Sequence, residues 1–212
     1  MPCDQCRGIE REFDARTARR GLRRYRRKGA DATTRLLIEA LLRGGVEGQT
    51  LLDIGGGVGA LQHALLLAGV RGAQSVDASA AYLEAAGEEA DRLGLADRIE
   101  ALHGDFVRLA DTLPEADIVT LDRVICCYDD MRRLVAESAR RARRQYGLVY
   151  PRDSWWLRPA FWLGNLLFRL QRSSFRVFLH PSTAVEGMIA DHGLRKTFHR
   201  NRGIWQVAVF TA

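Results

Sequence analysis

The chain has 212 residues, 47% hydrophobic and 27% charged, which is the composition of one ordinary globular domain and excludes a disordered chain. No apolar run approaches the ~18 residues needed to span a membrane, and the N-terminus is charged where a signal peptide needs an apolar core. Four cysteines are too few for a disulfide scaffold, so the expectation is a cytoplasmic chain with reduced thiols.

Residues 1–28 hold ten basic and four acidic residues, which accounts for the whole net charge of +6. Such a segment can bind phosphates, nucleic acid or an anionic membrane, or simply present a solvated helix face. Residues 1–44 read as helical, with Ile9, Phe13, Leu22 and Tyr25 as apolar anchors in a charged background. Asp31 is a plausible cap for a stripe of Leu36, Leu37, Ile38, Leu41 and Leu42, and Gly44-Gly45 ends that helix. The stripe is expected to pack near the glycine loop that follows, so that 1–44 forms a lid over a domain spanning 45–212.

From Thr50 the pattern alternates. Strands are predicted at 50–54, 74–77, 99–103, 117–121 and 148–151, with helices at 60–68, 80–93 and 131–144. That alternation implies a parallel sheet covered on both faces, with ligands bound beyond the strand ends. A helix at 182–192 and strands at 194–199 and 204–210 around the turn 200–203 close the chain as a β-hairpin. The segment 155–170 holds three of the four tryptophans. Packed core is the first expectation for it; a pocket lining, a dimer interface or a helix lying on a membrane are the alternatives.

The strongest chemical signal is Leu51-Leu-Asp53-Ile-Gly55-Gly-Gly57-Val-Gly59, a strand running into a glycine turn and then a helix. Glycines let a ligand approach the backbone, and the helix start offers free N–H groups. Gly55, Gly57 and Ala60 also fit a dinucleotide fingerprint. Asp53 discriminates, because a carboxylate there repels a pyrophosphate and suits a cationic amino group or a sulfonium.

In this stretch the sequence resembles the class I S-adenosylmethionine-dependent methyltransferases, whose motif is D-x-G-x-G. The resemblance spans about 45–212. It implies an α/β fold, a Rossmann-like seven-stranded, mostly parallel sheet with helices on both faces and an antiparallel C-terminal hairpin. It implies S-adenosyl-L-methionine as cofactor, Asp77 as the acceptor for the ribose hydroxyls with Ala78 beside it, and Asp105 with Phe106 at the adenine. Asp122 follows the fourth strand, where it either helps hold the site or pairs with Arg123. Cys126, Cys127 and Tyr128 are expected to face the substrate. The basic N-terminus, Cys-Tyr after strand four and the apolar segment after strand five are similar to the magnesium-protoporphyrin O-methyltransferase group.

The expected activity is methyl transfer to a small, hydrophobic or aromatic acceptor, at oxygen. An NAD(P)-dependent oxidoreductase, an RNA methyltransferase and an inactive cofactor-binding domain are the competing readings. Nucleobase amino methylation is disfavoured because no Asn-Pro-Pro-Tyr follows strand four, and Lys28 with Lys196 cannot build a lysine-rich ribose-methylating tetrad. No hydrolase elbow is present. Tyr128 and His180 are the candidates should a catalytic base be used. Cys3-x-x-Cys6 is half of a zinc motif without a second half, so no metal is expected.

Overall fold

A computed structural model describes residues 4–212. Three helices open the chain: α1 (Asp4–Glu12), α2 (Ala15–Lys28) and α3 (Ala32–Arg43). Asp14 and Asp31 cap α2 and α3, each carboxylate accepting from backbone N–H groups of the first turn. The alternating part follows as β1 (Thr50–Ile54), α4 (Ala60–Leu67), β2 (Gly72–Asp77), α5 (Ala80–Leu93), β3 (Ile99–His103), α6 (Phe106–Leu109), β4 (Ala116–Asp122), α7 (Met131–Ala139) and β5 (Ala142–Pro151). Then come α8 (Arg158–Leu170), α9 (Ser182–Ala190), β6 (Arg195–Arg202) and β7 (Trp205–Thr211).

The strands form one seven-stranded sheet in the order β3-β2-β1-β4-β5-β7-β6. All pairs are parallel except those of β7, which runs antiparallel between β5 and β6. The order reverses between β1 and β4, and the loops beyond that crevice are where ligands of such sheets bind.

Each sheet face buries its own core. On one face Phe106, Leu134, Val135, Val185 and Ile189, from α6, α7 and α9, pack on the sheet; on the other, Leu37, Leu41, Leu61, Leu65 and Ala90, from α3, α4 and α5. The leucine stripe of α3 therefore packs over β5 and β7, not beside the glycine loop. Gly147 permits this approach, because a Cβ there would sit 2.9 Å from Leu37 Cδ1 and 3.3 Å from Leu41 Cδ2. Only the start of α3, at Asp31 and Thr34, reaches the strand-end crevice.

Three further expectations are corrected. The helix predicted to Arg144 stops at Ala139, and β5 starts at Ala142. Its arginine-rich beginning has little strand propensity, but register with β4, and with β7 from Gln145 onward, imposes the extended form. The hairpin turn is shorter than predicted: strand pairing continues to Arg202↔Trp205, and only Gly203 and Ile204 bridge. Arg195, Lys196, Arg200 and Arg202 lie exposed on β6, a charged edge that discourages further strand addition. Lastly, the aromatic segment is not core. No residue of α8 is buried, because both sheet faces are already covered.

Candidate active site

The glycine loop joins β1 to α4. Gly55, Gly57 and Gly59 all have positive φ. Gly56 is required for a different reason, since a Cβ on it would collide with the Asp53 carboxylate. Gly57 directs its N–H to Asp77 Oδ2 at 3.2 Å, so the carboxylate ending β2 holds the loop. Asp77 Oδ1 accepts the Ser79 N–H at 2.8 Å. It is Ser79, not Asp77, that caps α5, accepting from Tyr82 N–H.

Asp53 is fully buried at the end of β1. Oδ1 accepts the Thr120 hydroxyl at 2.7 Å, while Oδ2 has no hydrogen-bond partner. Burial pushes this carboxyl up to about 7, outweighing the Thr120 bond, and the Asp122 and Asp77 carboxylates push the same way. Burial also raises Asp77, against the Ser79 and Gly57 amides, and raises Asp122, against Arg123 and Thr34.

Asp122 pairs with Arg123, whose Nε lies 2.9 Å from its Oδ1, and it also lines the crevice. Arg123 also reaches Asp31 at 2.6 Å, tying β4 to the start of α3. Burial works against ionisation of Asp31, but Arg123 and the bonds from Thr34 and Thr33 hold it at about 2.

These groups open on one cavity of about 570 Å³. All of Asp53, Gly55, Gly57, Asp77, Ala78, Asp105, Phe106 and Asp122 line it, as do Cys126, Cys127 and Tyr128. Tyr128 donates its phenol proton to Asp105 at 2.8 Å, and Asp105 also caps α6. His180 is not among the lining residues. Its Nε2 lies 3.1 Å from the Ile125 carbonyl and 3.3 Å from that of Tyr128, so the ring braces the loop after β4, and burial lowers its pKa. Cys3 and the Cys6 side chain lie outside the described residues.

The opposite wall comes from residues that motif reading could not assign. Ile9, Phe13, Gly21 and Tyr25 of the N-terminal segment line it with Tyr82, Phe175, Val177 and Trp205. The one signal for them was the set of lone apolar anchors in a charged segment. Phe13 packs against Tyr82 and Phe175, with ring centroids 5.7 and 5.6 Å apart. Its carbonyl accepts the Ser79 hydroxyl at 2.7 Å, and Gln5 Nε2 donates to the Cys127 carbonyl at 2.8 Å. α2 buries Ala18 and Leu22 on Ala85 of α5, and Arg26 pairs with Glu89 at 2.7 Å.

A second buried ionisable group, His63, lies below the loop. Burial lowers its pKa to about 4, against Glu89 and the Ala86 backbone. The two groups act on stability with opposite signs. For Asp53, raised from 3.8 to about 7, the contribution is present below 3.8 and lost as pH rises through 7. For His63, lowered from 6.5 to about 4, it is present above 6.5 and lost as pH falls through 4. Between pH 4 and 6.5 the two oppose, and the raised Asp77 and Asp122 act in the same sense as Asp53. Asp53→Asn removes the Asp53 share, so relative to wild type its urea midpoint should fall on acidification over that range, by an amount equivalent to roughly a few kcal/mol. A variant midpoint that runs parallel to wild type over this range would contradict this assignment.

A crevice at the switch point of an α/β sheet, floored by buried carboxylates and a glycine loop, is where ligands of such sheets bind. Residues 52–149 match the family model described as a methyltransferase domain, and the chain carries a domain of the class I S-adenosylmethionine-dependent methyltransferase superfamily. Its enzyme class is methyl transfer from S-adenosylmethionine. No curated protein matches the chain by sequence. The structure is similar to magnesium protoporphyrin IX methyltransferase from Synechocystis PCC 6803 with bound SAH, with 18% identity, 96% of this chain and 97% of that chain covered, and a TM-score of 0.72. It is similar to a chain from the complex of the Haloferax volcanii Trm112 methyltransferase activator with a methyltransferase (18% identity, 96% and 97% covered, TM-score 0.68). It is also similar to an O-methyltransferase family protein from Burkholderia thailandensis (19% identity, 94% and 60% covered, TM-score 0.67). At these identities the likeness is one of fold.

Proposed function

We propose that the enzyme methylates an oxygen of a small, largely apolar acceptor, with Asp53, Gly55, Gly57, Asp77, Ala78, Asp105, Phe106 and Asp122 holding the cofactor. The carrying observation is the unpartnered, fully buried Oδ2 of Asp53 at the floor of the cavity. An unpaired buried carboxylate oxygen is costly unless a cation meets it. A pyrophosphate there would add repulsion, which disfavours the NAD(P) reading.

The sulfonium supplies an already activated methyl group, so the protein's work is positioning and exclusion of water. Asp77 presents two acceptor oxygens, as a vicinal diol requires, and holds the Gly57 amide with one of them. Phe106 offers an apolar surface for a flat ring, with Asp105 oriented by Tyr128. Ile9, Phe13, Phe175 and Val177 form an apolar wall for the acceptor. No histidine is among the described lining residues, whereas Arg24 is, with Arg123 already paired to Asp122 and Asp31. That favours an acceptor oxygen that is already anionic, a carboxylate, for which no base is needed.

S-adenosylhomocysteine should therefore raise the melting temperature, by an amount equivalent to ~2.7 kcal/mol at a hundredfold excess over Kd, and NADH should not. Transfer of labelled methyl to a carboxylic acid panel should yield a base-labile ester. Calorimetry showing NADH binding without S-adenosylhomocysteine binding would overturn the proposal. Binding without any turnover would point to an inactive cofactor-binding domain. RNA methylation is the second reading, favoured by the basic groove of Arg20, Arg23, Arg27 and Lys28 on α2. Salt-dependent RNA affinity would support it.

A further inference from the structure

Among the described residues, α8 is the one long helix whose apolar surface is turned outward. Trp162 is 67% exposed and Leu170 72%, with Leu163 and Leu167 half exposed beside them. At 100° per residue these four fall within about 140° of arc, with Arg158 and Arg169 along one border. Trp155, 80% exposed, and Trp156 extend the surface at the helix start. The inner side is fixed. Asn165 exchanges two hydrogen bonds with the backbone of Val177, at 2.8 and 2.9 Å. Phe168 stacks edge-on against Phe175, 5.1 Å between centroids. The outward face is therefore held outward by specific contacts and is not a core helix that failed to pack.

Charge selects the occupant. Residues 154–185 contain Arg158, Arg169, Arg172 and Arg176 and no aspartate or glutamate, while Asp153, just before this stretch, lies 3.8 Å from Arg158. A second copy of the chain meeting this face two-fold would set arginine against arginine. An anionic bilayer matches all three features: leucines for the acyl boundary, tryptophans for the headgroup level, arginines for the lipid phosphates. The helix has 13 residues, and no described helix is long and apolar enough to cross a membrane, so it would lie in the interface plane. We propose that α8 docks the protein on an anionic lipid surface. The inner side of the same helix lies one ring from the cavity, since Phe168 contacts Phe175, which lines it.

The proposal is independent of the acceptor and is tested by binding alone. Full-length protein is sedimented with phosphatidylcholine vesicles containing phosphatidylglycerol, and with pure phosphatidylcholine vesicles. The anionic vesicles should retain it, salt should weaken retention, and tryptophan emission should shift to the blue. The double variant Leu163→Asp/Leu167→Asp should melt as wild type and bind S-adenosylhomocysteine equally, yet lose at least about tenfold in vesicle affinity. Arg158→Gln/Arg169→Gln should lose the preference for anionic lipid. Absence of wild-type binding to anionic vesicles, or equal binding by the aspartate variant, overturns the proposal. A wild-type dimer in light scattering that the aspartates dissociate, without vesicle binding, would assign the face to a second copy instead.

Discussion

Deleting residues 1–28 should leave a folded domain that has lost turnover and binds S-adenosylhomocysteine at least about tenfold more weakly. The reason lies in how the segment is attached. Both large cores, on either side of the sheet, are built from α3 onward. α2 contributes to a separate small cluster, Ala18 and Leu22 against Ala85, with Tyr25, Val58 and Tyr82 around it. Other ties of residues 1–28 include the Arg26 pairs with Glu88 and Glu89, the Ser79–Phe13 bond, the Phe13 ring contacts with Tyr82 and Phe175, the Glu10–His103 approach and the Gln5 bonds. Detachment therefore costs little core, but it removes the wall of Ile9, Phe13, Gly21 and Tyr25 and opens the cavity to water. Leu22→Asp in the full chain should mimic the deletion, because Leu22 is buried in that cluster. Trypsin should cut the Arg19–Lys28 stretch more slowly once S-adenosylhomocysteine is bound. Equal cleavage with and without ligand, together with normal binding by the truncated chain, would show that the segment is not a lid.

Asp77→Ala should weaken S-adenosylhomocysteine binding by about 1.5–3 kcal/mol, roughly ten- to a hundredfold, as expected for hydrogen bonds to a charged group. It should also destabilise the apo protein, since the Gly57 and Ser79 amides lose their acceptor. Asp77→Asn separates the two effects. It keeps acceptor capacity for an amide but loses the charge, so binding should fall while the melting temperature changes less. Calorimetry and thermal melts on both variants distinguish the outcomes. A folded Asp77→Ala protein with wild-type affinity would leave Asp77 only the task of bracing the loop.

The alternating segments and the glycine loop were legible because each rests on local chemistry. Period, caps and turns lie within a few residues of one another, and Asp53 stands two positions before the first glycine. Asp77, Asp105 and Asp122 were legible in the same way, each at or just beyond a strand end. The ends of α7 and β5 were not, because the stretch 140–144 carries no strand signal of its own; pairing of Ala142 with β4 starts the strand, and β7 joins only from Gln145 onward. The far wall of the cavity was not legible either. Phe13, Tyr82 and Phe175 meet only through a fold that brings residues 162 positions apart into ring contact.

The sequence by itself determined the class of sheet and the acidic glycine loop, since these follow from short-range spacing. Tertiary structure alone decided what each apolar stretch does. The α3 stripe and the α8 stripe look alike as sequences. The first found an uncovered sheet face over Gly147 and became core. The second has no sheet face left to cover, because α6, α7 and α9 occupy one and α3, α4 and α5 the other, and so it remains on the surface.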